Sequence, residues 1–66
     1  MQTIKFNKDI YQLACLQAAI AEFKGLADFT IKESGNYFQV RLEKIKPQQH
    51  DVLSDEFSNY VLGLHS

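Results

Sequence analysis

The sequence holds one cysteine, one proline and no tryptophan in 66 residues. A single thiol makes no internal disulfide, and a reducing compartment needs none. No apolar run approaches the length of about 18 residues that a membrane helix requires, so no membrane association is expected. The amino terminus lacks the charged-then-apolar pattern of a secretory signal, and a cytoplasmic location is the expectation. Charge of one sign is also missing: seven Lys+Arg stand against eight Asp+Glu, a formal net charge of -1. That balance weighs against nucleic acid as the main partner, because such binding rests on neutralising phosphates. No glycine-rich phosphate loop or nucleophile elbow appears. What is present is a 45% hydrophobic fraction, which suits one folded domain spanning residues 1–66. A chain of this length has a net stability of about 3–10 kcal/mol. That leaves little reserve for a strained catalytic site, and binding is the more natural task.

Alternation marks three strands. Ile4 and Phe6 alternate with Thr3, Lys5 and Asn7, the period of a half-buried strand. Phe29 to Glu33 alternates again, and Tyr37 to Ile45 is the longest such run. Between them Ser34-Gly35-Asn36 is a turn whose Gly and Asn tolerate left-handed backbone, so the two strands form a hairpin. Pro47 has no N–H for a ladder, so the third strand stops before it.

Helical spacing marks two further segments. From about Asp9 to Lys24 the chain has no Gly or Pro, and Leu13, Leu16, Ile20 and Phe23 fall on one face. Asn7 or Asp9 is the expected cap, with Gly25 as the residue of positive φ beyond the last turn. From Asp51 to about Leu64, Leu53, Phe57, Tyr60, Val61 and Leu64 share a stripe. Asp51, Asp55 and Glu56 complement the positive end of that helix dipole. The element order is β-α-β-β-α, an α+β fold with a three-stranded sheet and both helices packed on one face. Ile4, Phe6, Phe29, Ile31, Phe38, Val40 and Leu42 are expected to meet Leu13, Leu16, Ile20, Phe23, Phe57, Tyr60, Val61 and Leu64. A right-handed crossover leaves the first strand free to lie beside either the second or the third.

Few residues carry catalytic chemistry. Cys15 is a nucleophile only with a base beside it, and otherwise a small apolar helix residue. His50 and His65 with one Cys do not supply a structural zinc site. Asp55 and Glu56 are adjacent on a helix, so they point about 100° apart and do not converge on one substrate. No cofactor and no enzymatic activity are expected. Two surfaces remain. On the outward sheet face Lys5, Lys32 and Arg41 share a parity with Tyr37, the ingredients of a small single-stranded nucleic-acid binder. On the first helix Tyr11, Cys15, Ala18 and Glu22 follow one another opposite the apolar stripe, with Ala14 and Ala21 nearby. That face is suited to a partner protein or to a second copy in a homodimer. In the second helix Asn59 and Leu62 fall off the main stripe, and the core does not explain them. Tyr11, Ala18, Glu22, Asn59 and Leu62 are therefore the candidate partner-binding residues.

Nearly the whole chain resembles HxsD, the small D component of His-Xaa-Ser peptide-modification systems. The matching stretches are Ile4-Lys5-Phe6-Asn7, Ile10-Tyr11, Leu16-Gln17-Ala18-Ala19, Glu22-Phe23, Phe29-Thr30-Ile31, Phe38-Gln39-Val40-Arg41-Leu42 and Glu56-Phe57-Ser58-Asn59-Tyr60-Val61-Leu62. The last looks like the closing F-x-N-x-x-L helix of that family. The resemblance implies a helper without catalytic residues. Its systems pair a His-Xaa-Ser repeat peptide with radical S-adenosylmethionine maturases that carry iron–sulfur clusters. The chain has no three-cysteine set for a cluster of its own. An adaptor that presents the peptide or docks a maturase is the implied role.

Overall fold

Alternating apolar and polar side chains build the sheet, and the computed structural model, which describes residues 2–65, sets its order. The elements are β1 (Gln2–Asn7), α1 (Leu13–Phe23), β2 (Asp28–Ser34), β3 (Tyr37–Glu43), a 3-10 turn at Pro47–Gln49, and α2 (Leu53–Leu64). The strand order is β1-β3-β2, and β3 is antiparallel to both neighbours. The first strand thus lies beside the third. Its register pairs Ile4 with Val40 and Phe6 with Phe38, while Ile31 meets Val40 from the other side. These rows point inward, as the period of two requires.

Both helices cover that inner face. Phe6, Phe38, Val40 and Leu42 are buried with Leu16 and Ala19 of α1, with Leu53, Phe57 and Val61 of α2, and with Ala27. Phe57 is the centre: its ring meets Phe6 at 6.2 Å, Phe23 at 5.6 Å and Phe29 at 5.1 Å between centroids. The edge-strand residues Ile4, Phe29 and Ile31 are only half-buried. Each has a neighbouring strand on one side alone.

Several expected boundaries move, each for a local reason. The first helix begins at Leu13 rather than near Asp9. The Asn7 side-chain oxygen accepts from the Asp9 N–H at 2.8 Å, and the Asn7 carbonyl accepts from Ile10 and Tyr11. These are the bonds of an Asn N-cap, but they close a single turn, and the chain is extended at Gln12 (φ -97°, ψ 144°) before α1 begins. Gln12 stands at the cap instead, without a side-chain cap bond. Gly25 lies outside the positive-φ region; among the described residues only Gly35 (59°) and Lys44 (52°) occupy it. Positive φ at Gly35 alone, the first central residue of a two-residue hairpin loop, is the pattern of a type II′ turn.

The second helix starts at Leu53, after the 3-10 turn with Pro47 in its first position. The third strand ends at Glu43, where Lys44 turns the chain, and the Lys46 N–H donates to the Leu26 carbonyl at 3.0 Å. Three expected core residues stand exposed: Leu13 at 37%, Tyr60 at 38% and Leu64 at 42%. The buried stripe of α1 centres between Leu16 and Ala19, which leaves Leu13 on its flank. Leu64 sits in the last turn of α2. Tyr60 meets the ring of Phe23 at 5.5 Å yet remains open to solvent.

Candidate functional site

The helices run antiparallel, and the start of α1 is fastened to the end of α2. The Gln12 N–H donates to His65 Nε2 at 3.1 Å, and His65 Nδ1 lies 2.9 Å from the Val61 carbonyl oxygen. A carbonyl only accepts, so Nδ1 carries the proton and Nε2 is the acceptor. Tyr11 closes the clasp, edge-on to His65 at 4.9 Å and to Phe6 at 5.0 Å. This corrects one expectation. Tyr11 precedes the helix and is half-buried as a packing residue, so it does not share the outer face of α1 with Ala18 and Glu22.

The other four partner-face candidates are exposed. Ala18 lies about 200° round from Leu16, and Asn59 about 200° round from Phe57, at 3.6 residues per turn. Ala18 and Asn59 therefore project from the side of the helical layer that faces away from the sheet, while Glu22 lies on the flank of α1, about 60° round from the buried Ala19. Leu62 is 55% exposed, and it has apolar company that the sequence pattern did not reveal: Ile10 at 63%, Leu13 at 37% and Leu64 at 42%. Ile10 and Leu13 flank Gln12, while Leu62 and Leu64 lie just before His65. The Gln12–His65 bond thus brings the segments that carry these four exposed apolar side chains to one end of the helical layer, with Leu62 and Leu64 about 200° apart on α2. A signal was there in retrospect. Ile10 and Leu62 fit neither helical stripe, and an unplaced large apolar residue is a surface candidate.

The opposite layer differs. Its outward rows read Ser34–Tyr37–Asn7, Lys32–Gln39–Lys5, Thr30–Arg41–Thr3 and, at the far end, Asp28 beside Glu43. Lys5, Lys32, Tyr37 and Arg41 do share this face, as the parity predicts. Lys5 Nζ lies 5.9 Å from the centre of the Tyr37 ring. Arg41 lies 4.0 Å from Glu43, and Lys44 lies 4.0 Å from Asp28.

Among the described residues the Cys15 thiol has no hydrogen-bonded base. The thiol is half-buried on α1. Both ring nitrogens of His65 are engaged in the clasp, and His50 faces Asp51 at 3.4 Å in solvent. Among the described residues no three metal-binding side chains converge, no enclosed pocket opens, and no helix is long and apolar enough to cross a membrane. Comparison with known protein families, curated proteins and solved structures gives no match to this chain.

Proposed function

We propose that this protein is a non-catalytic adaptor that docks a folded protein partner on the apolar end of its helical layer. The observation that carries the reading is the exposure of Ile10, Leu13, Leu62 and Leu64 on the two segments that the Gln12–His65 clasp joins. Large exposed apolar side chains lower their free energy by leaving water. A radical S-adenosylmethionine maturase is the partner class implied by the resemblance to HxsD.

A direct test immobilises the chain and titrates the maturase of a His-Xaa-Ser system encoded beside it, with the His-Xaa-Ser peptide as a separate analyte. The maturase binds, and Leu62→Asp weakens binding at least about tenfold, as expected for an apolar anchor, while the urea midpoint is unchanged. A gene neighbourhood without such a maturase removes the partner assignment. Binding of the peptide alone, or concentration-dependent self-association lost in Leu62→Asp, reassigns the surface to a peptide or to a second copy. Undiminished maturase binding by Leu62→Asp overturns the proposal.

A further inference from the structure

The outward sheet face lies on the other layer from these apolar side chains, and its charges are not distributed like those of the whole chain. Lys5 and Lys32 occupy one row, on either side of Gln39, and neither has a carboxylate partner among the described residues. With two strand spacings between them, their backbones are about 10 Å apart. Arg41 stands one outward row along β3 on one side and Tyr37 one outward row on the other, each about 7 Å from Gln39. The acids of this face, Asp28 and Glu43, lie together at the end remote from Tyr37. The remaining positions of these rows, Thr3, Thr30, Gln39, Asn7 and Ser34, are neutral hydrogen-bonding residues. A net charge of -1 for the chain therefore hides a face on which Lys5, Lys32 and Arg41 outnumber Asp28 and Glu43, with an aromatic ring at the end remote from the acids, although Arg41 lies 4.0 Å from Glu43. The ring is 42% exposed.

We infer that this face is a second binding site, for single-stranded nucleic acid. Lys5 and Lys32 hold two successive stretches of backbone phosphate, Arg41 holds a third contact, and a base stacks on Tyr37. Charge complementarity calls for an anionic strand. The exposed ring selects a ligand with planar faces, which an acidic peptide does not offer. The carboxylates at the Asp28–Glu43 end repel phosphate and limit the site to a few nucleotides. The surface is open and shallow, so it tracks the backbone and tolerates any sequence.

The test is an anisotropy titration of the full chain into a 5′-labelled 12-nucleotide oligouridylate at a series of salt concentrations. Contact with up to three phosphates gives a log–log salt slope of about −2. Tyr37→Ala weakens binding at least about fivefold by loss of stacking. The surface pair Lys5→Gln with Lys32→Gln removes most of the affinity, and circular dichroism verifies that it stays folded. Absence of binding at 50 mM salt, or binding unchanged in the lysine pair, overturns the inference. Equal binding of an oligoglutamate of matching charge reassigns the face to acidic peptides. None of these readings depends on the helical layer, so the two proposals fail separately.

Discussion

At the scale of single residues, His65 has the largest reach. Its ring accepts from the backbone of the α1 cap and lies within hydrogen-bond distance of its own helix, so it substitutes for the capping side chain that Gln12 does not provide. His65→Ala leaves one helix N–H and one carbonyl without these partners and removes the ring beside Tyr11. The expected loss is about 1–2 kcal/mol, measured as a shift in urea unfolding. Faster hydrogen exchange at the Gln12 amide locates the loss. None of this was legible in the sequence. A histidine near a chain end reads as solvated, and only the antiparallel helices bring it to Gln12. The parity of Lys5, Lys32, Arg41 and Tyr37 was legible, because alternation fixes the face of a strand without reference to the rest of the fold.

At the scale of elements, legibility follows the strength of the local pattern. The hairpin emerged from alternation and Gly35 alone. The helices emerged from their stripes, but their first residues did not, since the single turn that Asn7 caps runs into extended backbone at Gln12 and a 3-10 turn at Pro47 precedes α2. The stripes also overstated the core at their ends. This distinction gives a measurable contrast. Phe57→Ala removes the ring that Phe6, Phe23 and Phe29 pack against and costs about 3–5 kcal/mol, comparable with the whole stability of a chain this short. Leu13→Ala changes stability by less than about 1 kcal/mol, because its side chain is exposed on the flank of α1. Thermal or urea unfolding of the two variants checks both values. A Leu13→Ala loss as large as that of Phe57→Ala contradicts the placement.

At the scale of the whole molecule, two layers present two surfaces of different chemistry. The helical layer carries exposed apolar side chains at one end, and the sheet carries the cations and one exposed ring. The two proposed sites lie on opposite layers, so their occupants would not compete. Strand order was a feature of the fold left open by the sequence. Either neighbour for β1 satisfied the crossover rule, and the choice depends on which pairing buries Phe6 and Ile4 best against the helices.

That order has a temporal consequence. The two outer ribbons hydrogen-bond only to the central one, which the chain supplies third. A truncated polypeptide ending at Asn36 contains both outer ribbons and nothing for either to zip onto, so its circular dichroism lacks a β signal and its melting is not cooperative. On the ribosome the same arithmetic holds: assembly waits for the keystone, and everything synthesised before Tyr37 remains provisional until it emerges.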